Sequence, residues 1–363
     1  MPTVPVQTPG GSYDVVIEPG ALASLGERAR ELVPHAQAAV INDESIEYTH
    51  GLAAARSIRD AGYDATIAIM PQGESNKTLG TFRDLCEVLL NARIERGAPV
   101  FAIGGGITGD VAGFVASAYL RGVPFINCPT TLLSMVDASV GGKTGVNVPQ
   151  GKNLLGAFWQ PSLVLIDPQT LTTLPPRELR AGLAECVKHG MIRDPDLFAW
   201  IEAHADKLLA LDEPAMVELL ERNVRIKAAV VEADEREAGV RAHLNFGHTF
   251  AHAIEAGTNY TVFKHGEAVS LGMVAATHLA VALDMCDASV LDRLVALLDK
   301  LEQPTQAPLP SPIALVDVMR LDKKVKGGKM RLVLPTRIGE VIIRDDAGYA
   351  AIVDAWGELK PPA

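Results

Sequence analysis

The feature that most constrains this chain is an alternation of short apolar runs with longer helical patterns over its first 167 residues. The apolar runs are typical of strands, and stretches between them, such as residues 79–94, carry apolar residues at three- and four-residue intervals. This alternation predicts a doubly wound, mostly parallel sheet, in which ligands bind at the carboxyl ends of the strands. The strand candidates are residues 13–17, 38–42, 65–70, 99–104, 124–128 and 163–167.

A Pro-Pro pair at residues 175–176 marks a change of pattern. Residues 177–303 hold long helical patterns, and residues 330–345 predict a small hairpin attached to them. The apolar run 273–283 is too short to span a bilayer, so we expect it to form a buried helix. The sequence therefore predicts the α/β class, with a Rossmann-like parallel-sheet domain over residues 1–175 and a mostly α-helical domain over residues 176–363.

Composition excludes several classes of function. The chain has 363 residues, is 48% hydrophobic and 21% charged, and carries a net charge of −11, which argues against nucleic acid or an anionic membrane as its main partner. Its first residues lack the basic and apolar segments of a signal peptide. Four scattered cysteines, Cys86, Cys128, Cys186 and Cys286, suit free thiols in a reducing cytoplasm. We therefore expect a cytoplasmic protein.

A glycine-rich stretch, residues 102–113, follows the fourth strand candidate and opens a helical pattern. Gly104, Gly106 and Gly109 satisfy the spacing G-x-G-x-x-G, but no acidic residue follows about twenty positions later to hold a ribose. Glycines at such a turn let backbone N–H groups approach an anion at a helix N-terminus. A tight turn without a ligand is the alternative interpretation.

Polar residues end two further strand candidates, with Asn42 and Asp43 after one and Glu74 and Lys77 after the next. An acidic side chain there can accept hydrogen bonds from ribose hydroxyls, and a lysine can reach a phosphate. Each residue alone can also be a helix cap or a solvated loop charge. Together with the glycine loop, these strand ends favour a dinucleotide.

Residues 129–158 contain Lys143 and Lys152 beside glycines, with Asp137 and Asn153 nearby, in a stretch otherwise nearly free of charge. Lysines on a solvated surface usually have mixed polar neighbours, so these two are expected to face an anionic ligand. The stretch is not a nucleotide-triphosphatase phosphate loop, because the upstream glycine of that motif is missing.

A metal site is suggested by Glu185, on an apolar helical stretch with Lys188, and by His248, His252 and His265. Histidines four apart on a helix can chelate zinc, but no glutamate between them supplies the base of a metalloprotease. One helical glutamate and two histidines would leave an open, catalytic zinc position. The alternatives are an intrahelical ion pair and histidines that are only packed or capping.

The chain resembles the 3-dehydroquinate synthase family over nearly its whole length. The resemblance implies an α/β NAD-binding domain, a helical metal- and substrate-binding domain and a site in the cleft between them. The segments that carry it are residues 73–77, 104–117, 121–122, 129–147, 151–158, 184–190, 234–255, 265–269 and 322–324.

The resemblance also implies roles for single residues. Glu185, His248 and His265 match the zinc ligands, His252 matches a substrate-binding proton carrier, and Glu237 matches an acidic residue with a proton-transfer role. The positions that match the substrate pocket are Asp137, Lys143, Lys152, Asn153, Lys188, Lys227, Arg241 and Asn245. Lys227 is assigned to the substrate carboxylate because the family match places it beside Arg241.

The resemblance further implies NAD as a cofactor and a homodimer. Arg121 matches an arginine that reaches into the neighbouring subunit's site. A lysine of residues 321–329, for which we choose Lys324, is expected to contact the substrate phosphate. The positions that match contacts to NAD are Asp43, Glu74, Lys77, Gly105, Gly106, Asp110, Thr130, Thr131, Thr172 and Thr173, and Lys143 and Lys152 are assigned to this set as well.

The implied reaction converts 3-deoxy-D-arabino-heptulosonate 7-phosphate to 3-dehydroquinate and phosphate. A zinc or cobalt ion polarises a hydroxyl, NAD takes a hydride transiently, phosphate leaves by β-elimination, the hydride returns, and an intramolecular aldol step closes the ring. The alternatives are another sugar-phosphate cyclase, such as an aminodehydroquinate synthase, and a metal-dependent polyol dehydrogenase. An inactive scaffold would need losses among these residues, and none is seen.

Overall fold

The structure, a computed structural model, describes residues 2–237, 239–321, 325–326 and 329–361. The chain forms two compact units. One contains the residues up to Leu174 together with Glu213–Glu235, and the other contains Pro175–Asp212 and the residues from Arg236 onward. Across the described ranges, no helix is both long and apolar enough to cross a membrane.

The first unit is built on a seven-stranded sheet with the strand order β1-β2-β9-β6-β5-β3-β4. β1 pairs antiparallel with β2, and all other pairs are parallel. The six strands predicted from apolar runs are confirmed as β2, β3, β4, β5, β6 and β9. The strand bounds are β1 Thr3–Thr8, β2 Gly11–Ile17, β3 Gln37–Asp43, β4 Asp64–Met70, β5 Val100–Gly104, β6 Phe125–Pro129 and β9 Leu163–Ile166.

Helices cover both faces of this sheet because its central strands are apolar on both sides. Val40 and Ile103 face the cluster that includes α1 and α2, whereas Ile41 and Ala102 face the cluster that includes α3 and α4. This two-sided burial is characteristic of parallel sheets. The helix bounds are α1 Leu25–Leu32, α2 Leu52–Asp60, α3 Leu79–Asn91 and α4 Gly106–Ala118.

Two elements of the first unit lie outside the predicted strands. β1 pairs with β2 at the edge of the sheet, and β7, Lys143–Val148, pairs with β8, Gly151–Phe158, as a separate antiparallel hairpin. Most of β8 is exposed, including Leu154, Leu155 and Phe158. The hairpin therefore lacks the one-sided burial that produces alternation in a sequence.

Helix α7, Glu213–Ala233, groups with the first unit, although a single boundary after residue 175 would assign it to the helical domain. The physical reason is its packing on the antiparallel edge of the sheet. The backbone N–H of Gln7 in β1 donates to Glu232 at 2.8 Å, and Glu235 accepts from Thr8 at 3.0 Å and from Gln160 at 2.8 Å.

The second unit is mostly helical, as predicted. The hairpin expected from residues 330–345 is confirmed as the antiparallel pair of β12 and β13, and the apolar run 273–283 lies almost wholly in the buried helix α9. The bounds are α5 Pro176–Arg193, α6 Pro195–Leu209, α8 His248–Gly257, α9 His265–Ala282, α10 Ala288–Lys300, α11 Pro312–Leu321, β10 Val325–Lys326, β11 Lys329–Met330, β12 Leu332–Arg337, β13 Glu340–Arg344 and α12 Tyr349–Gly357.

Candidate active site

Three helices of the second unit each direct one metal-ligating side chain toward a common point. Glu185 lies in α5, His248 begins α8 and His265 begins α9. Oε1 of Glu185 is 3.6 Å from Nε2 of His248 and 3.7 Å from Nε2 of His265. One ligand atom from each residue lies within 4.8 Å of the others. The three residues predicted to bind a metal are therefore clustered.

The donor set fits a divalent cation. Two ligand atoms bound to one tetrahedral zinc lie about 3.3 Å apart, whereas a direct hydrogen bond is about 2.7–3.2 Å long. The separations of 3.6 and 3.7 Å between the ligand atoms need to shorten only slightly to fit one zinc ion. Glu185 is fully buried, and its Oε1 has no hydrogen-bond partner among the described residues. A buried carboxylate oxygen in that state is stabilised by a cation.

Close helix packing brings the three ligands together. A Cβ added to Gly266, the residue after His265, would lie 1.9 Å from the carbonyl oxygen of Ala181 in α5. A Cβ at Gly272 would lie 2.2 Å from the carbonyl oxygen of Gly247, directly before His248. Backbone atoms occupy both positions, so a side chain there would push α9 away from α5 and α8.

Each candidate ligand has a partner that orients it. Oε2 of Glu185 accepts a hydrogen bond from Lys188, and both side chains are fully buried. The His248 Nδ1–H donates to the carbonyl oxygen of Phe246 at 3.1 Å, and His265 Nδ1 contacts Oε1 of Glu255 at 3.4 Å. Such partners fix the tautomer of a ligating imidazole and leave Nε2 for the metal.

The charge of Glu255 acts on His265 directly. Burial lowers the pKa of the His265 imidazole, but the hydrogen bond and charge of Glu255, together with the charge of Glu185, outweigh burial and raise the pKa above its ordinary value. A site that favours a proton on this ring also favours a cation bound to it. The same electrostatic preference therefore serves metal binding.

Other predicted substrate residues of this unit lie close to these helices in sequence. His252 is one turn after His248 in α8, with ring centroids 5.9 Å apart. Arg241 is 2% exposed, an unusual burial for an arginine. Glu237 has a left-handed backbone with φ of 58° and accepts a hydrogen bond from Asn245 at 2.8 Å. The predicted residues Glu237 and Asn245 are therefore direct neighbours.

The glycine turn of the first unit opens α4 at the carboxyl end of β5. Gly105 precedes the helix and Gly106 is its first residue. A Cβ at Gly105 would lie 3.2 Å from the Thr131 side chain, so the missing side chain leaves room at the helix N-terminus. Asp43 ends β3, and its carboxylate accepts from Thr108 in α4 at 3.1 Å. The helix that follows the glycine turn is therefore in direct contact with the acidic residue that ends β3.

Lys77 is buried and engaged by neighbouring side chains. Its Nζ donates to Asp110 and to Oδ1 of Asn153, the latter at 2.6 Å. Asn153 has φ of 51°, a left-handed conformation that Asn adopts more readily than most residues. The cluster joins the turn after β4 to α4 and to the β7–β8 hairpin, so three predicted site residues come together.

Two more predicted residues, Glu74 and Lys152, extend the hydrogen-bond network around Lys77. Glu74 accepts from Nδ2 of Asn147 at 2.8 Å and lies 3.8 Å from Nζ of Lys152. The Asn153 backbone N–H donates to Oδ1 of Asn147 at 2.9 Å. Asn147 was not predicted, although its place between Lys143 and Lys152 could have suggested it.

The four predicted threonines follow β6 and β9. Thr130 is buried and donates its backbone N–H to Gly104 at 2.9 Å, and the Thr131 hydroxyl accepts from the backbone of Ser134 at 3.2 Å. The Thr172 hydroxyl donates to Gln169 at 2.7 Å. These threonines are therefore structured by local hydrogen bonds.

Thr173 makes a longer-range contact as well. Its hydroxyl donates to the carbonyl oxygen of Thr170 at 3.1 Å and lies 2.7 Å from Nε2 of His50. His50 belongs to the helical turn Glu47–Gly51 that follows β3. The sequence did not predict His50, because nothing in the neighbouring residues indicates a contact with a residue 123 positions away.

Four more predicted residues lie in the first unit. Lys227 in α7 is buried and pairs with Asp137. Lys143 starts β7 and is exposed, whereas Arg121 is exposed with φ of 68°. Lys324 lies outside the described residues.

Comparison with known proteins identifies two family profiles that cover residues 67–325 without a gap. Residues 67–181 match 3-dehydroquinate synthase N-terminal, and residues 182–325 match 3-dehydroquinate synthase C-terminal. A 3-dehydroquinate synthase from Nostoc punctiforme is 46% identical over 344 residues, which are 94% of this chain and 95% of the relative.

Solved structures with the same fold include two sugar-phosphate cyclases. A 2-epi-5-epi-valiolone synthase from Streptomyces hygroscopicus subsp. jinggangensis, solved with NAD+ and Zn2+ bound, has a TM-score of 0.89 and 31% identity, covering 96% of this chain and 97% of its own. A 2-deoxy-scyllo-inosose synthase, complexed with carbaglucose-6-phosphate, NAD+ and Co2+, has a TM-score of 0.90 and 25% identity, covering 98% and 100%.

Proposed function

The chain belongs to the 3-dehydroquinate synthase family, and on that premise we propose that it converts 3-deoxy-D-arabino-heptulosonate 7-phosphate to 3-dehydroquinate and phosphate. The observation that carries the proposal is the convergence of Glu185, His248 and His265 in a chain of this family. The reaction is a carbon–oxygen lyase step coupled to ring closure, as in the shikimate pathway of aromatic biosynthesis.

The residues present can hold the two cofactors that the solved cyclases contain. Glu185, His248 and His265 would ligate one zinc or cobalt ion, and the polar carboxyl ends of β3, β4, β5, β6 and β9 would bind NAD. When bound, the cation would polarise a substrate hydroxyl, and NAD would accept and later return a hydride, so that phosphate is lost without net oxidation. Gly105 and Gly106 leave the α4 N-terminus open to a pyrophosphate.

Cationic side chains would bind the two anionic groups of the substrate. Arg241 can hold a carboxylate through two parallel hydrogen bonds, and Asn245 can donate to it. Lys227 is assigned to the same carboxylate, and its pairing with Asp137 fixes its side chain beforehand. Lys143, Lys152 and Lys188 would neutralise phosphate, and Asn153 would donate to the substrate.

Proton transfer would fall to His252 and Glu237. An imidazole exchanges protons near neutral pH, and His252 lies one helical turn from the ligand His248. The hydrogen bond from Asn245 holds the Glu237 carboxylate at a defined place. Both residues can then accept or donate a proton at the substrate without being ligands themselves.

We also propose a homodimer in the cytoplasm. Arg121 is exposed at a left-handed position, which supports a role for its guanidinium at the neighbouring subunit's site. The four cysteines are free thiols, which supports a reducing compartment. Size-exclusion chromatography with light scattering tests the dimer, and Arg121→Ala in a mixed dimer with Lys188→Met tests whether the two subunits complement each other.

A related sugar-phosphate cyclase activity is the second candidate. It is favoured by the 31% identity to the valiolone synthase and by the metal cluster, which suits any substrate of this class. Lys227, Arg241 and Asn245 favour an acid substrate over a neutral heptulose phosphate, so the substrate range separates the two activities. A metal-dependent polyol dehydrogenase would instead accumulate NADH with a simple alcohol.

In the deciding experiment, the purified protein is supplied with NAD and zinc. Phosphate release is then measured in parallel from 3-deoxy-D-arabino-heptulosonate 7-phosphate and from a neutral heptulose 7-phosphate. Equal amounts of phosphate and 3-dehydroquinate from the acid alone support the proposal. Phosphate release from the neutral sugar alone would assign the chain to the other cyclases.

A further inference from the structure

We propose that Glu255 is a positioning residue that orients His265 and sets the affinity of the cluster for a divalent cation. This inference rests on the proposed function, because it requires that Glu185, His248 and His265 bind a metal. It concerns a residue outside the predicted set and a property, metal affinity, that can be measured without turnover.

The position of Glu255 in α8 explains how it reaches His265. It lies in the last turns of a helix that begins with His248, and α9 packs beside α8 with His265 as its first residue. The carboxylate is 3.4 Å from Nδ1 of His265, and Glu255 is only 6% exposed. A carboxylate oxygen is only an acceptor, so its hydrogen bond with the imidazole requires that Nδ1 of His265 carries the proton.

This hydrogen bond determines which nitrogen can bind a cation. With its proton on Nδ1, the ring presents the lone pair of Nε2, which lies 3.7 Å from Oε1 of Glu185. The other imidazole is held differently, because His248 Nδ1–H donates to a backbone carbonyl. Substitution cannot remove a backbone carbonyl, but it can remove Glu255, so the orientation of His265 can be tested by itself.

Charge adds to orientation. Glu255 places a carboxylate beside the ring of His265, in addition to the carboxylate of the candidate ligand Glu185. A divalent cation is attracted to negative charge, and Glu255 increases the basicity of the ring nitrogen that binds it. Losing such a partner typically weakens metal affinity by about 10–100-fold.

The test measures zinc affinity of the full-length protein by competition with a chromogenic chelator, without substrate or NAD. We expect about 10-fold weaker binding for Glu255→Gln, whose amide oxygen still accepts from Nδ1–H, and about 100-fold weaker binding for Glu255→Ala. Glu267→Gln is the matched control. Glu267 lies two residues after His265, but its carboxylate bonds Arg177 and the backbone of Lys264, so zinc affinity should stay within about twofold.

Melting of the chelated proteins separates this effect from misfolding. If Glu255 only stabilises the fold, the chelated variants melt lower and still bind zinc as the wild type does, which would overturn the proposal. If the wild type binds no zinc, the proposed function fails instead. The proposal is supported if zinc affinity falls moderately in Glu255→Gln and further in Glu255→Ala, while it is unchanged in Glu267→Gln.

A second inference comes from a different contact: we infer that His50 positions the Thr172–Thr173 turn for the dinucleotide, again on the premise that NAD binds. In the sheet, β5 and β6 lie between β3 and β9. The turns after β3 and β9 nevertheless meet, because Nε2 of His50 is 2.7 Å from Oγ1 of Thr173. The contact lies at the carboxyl end of the parallel strands. At the same end, β5 leads into the glycine turn and β6 leads into Thr130 and Thr131.

The direction of this hydrogen bond follows from the threonine. When the single proton of the Thr173 hydroxyl is donated to Thr170, Nε2 of His50 is the donor to Thr173. Burial lowers the pKa of His50 despite the raising effects of the Thr170 backbone and Asp167, which favours the neutral ring. The bond holds two turns in register, and each carries residues assigned to NAD.

Calorimetric titration of NAD into the zinc-loaded protein, without substrate, tests this inference. One such hydrogen bond corresponds to about 5–10-fold in affinity. We expect that loss for His50→Ala and substantial recovery for His50→Gln, whose amide can donate to Thr173. His35→Ala is the control, since His35 bonds the backbone of Gln37 at the start of β3, and it should bind NAD as the wild type does.

The outcomes are distinct. Wild-type NAD affinity in His50→Ala, or a Gln variant as weak as Ala, would overturn the positioning role. If the wild type itself binds no NAD, the proposed function fails. A loss in Ala that Gln repairs, with zinc affinity unchanged in both, supports the inference.

Discussion

Glu185 shows at the scale of single residues how one side chain can serve both structure and chemistry. Oε2 accepts from Lys188, and Oε1 faces Nε2 of both histidines at 3.6 and 3.7 Å. A carboxylate and an ammonium group buried together are stable only while both are present, and the free edge of the carboxylate then suits a cation.

We predict that Glu185→Gln loses metal binding and at least about 1,000-fold in turnover, because the charged ligand that holds the Lewis acid is removed. Chelator competition and phosphate release measure the two effects. Glu302→Gln, which removes an exposed carboxylate paired with Arg180, should leave both unchanged. A Glu185→Gln protein with wild-type turnover would contradict the assignment of the ligand.

We predict that Lys188→Met lowers the free energy of unfolding of the metal-free protein by about 3 kcal/mol, because it leaves the buried Glu185 charge uncompensated. Zinc should restore part of this loss, since a cation can take over the compensation. Urea unfolding with and without zinc measures it. An equal loss under both conditions would argue against a cation beside Glu185.

The sequence predicted the candidate residues of the cluster, but spacing alone left their roles open. Two histidines four apart can both bind a metal, and only the resemblance distinguished His248 as the ligand from His252. Glu255 was missed even though an acidic residue ending an apolar helical stretch is a recognisable signal of a buried, partnered charge. His50 carried no such signal, because its partner is distant in sequence.

At the scale of elements, the site depends on how closely α9 approaches α5 and α8. Gly266 and Gly272 permit this approach, because backbone carbonyl oxygens occupy the space that a Cβ would need. The three ligands come from three helices, so their separation is set by helix packing and not by any one segment.

We predict that Gly266→Ala weakens zinc binding about 10-fold or more and destabilises the fold by about 1–3 kcal/mol, because α9 must move away from Ala181. Chelator competition and thermal melting measure the two effects. Gly357→Ala is the control, because a Cβ there meets no atom within 4 Å. Tight zinc binding in Gly266→Ala would show that the helix contact does not set the ligand geometry.

The central strands β3, β5, β6 and β9 were predictable because burial on both faces makes each of them a continuous apolar run. β1 alternates exposed and buried residues around Pro5 at the sheet edge, and β8 is exposed along most of its length. The proline weakens the strand signal of β1, and the exposed β8 has no buried face to produce one, although the β7–β8 hairpin carries Lys143, Lys152 and Asn153.

At the scale of the whole molecule, chain order and spatial grouping differ. The change of pattern near residue 175 is visible as a Pro-Pro pair, but α7 returns to the first unit through contacts of Glu232 and Glu235 with residues far away in the sequence. A helical pattern reports its own period and not the surface on which it packs, so this grouping required the structure.

The molecule also combines a net charge of −11 with a cationic residue set for an acidic sugar phosphate. Lys77 and Lys227 show how this is possible, since each is buried and held by an acidic neighbour. Binding is decided by such local groups, and the overall charge affects solubility and long-range attraction.

The most direct test of the central claim follows phosphate release from 3-deoxy-D-arabino-heptulosonate 7-phosphate with NAD, while NADH absorbance is recorded in the same cuvette. We predict phosphate and 3-dehydroquinate in equal amounts without lasting NADH, a complete loss of activity after chelation, and recovery when zinc is added. Intact substrate in the presence of zinc and NAD, or NADH that accumulates in step with product, would contradict the proposed function.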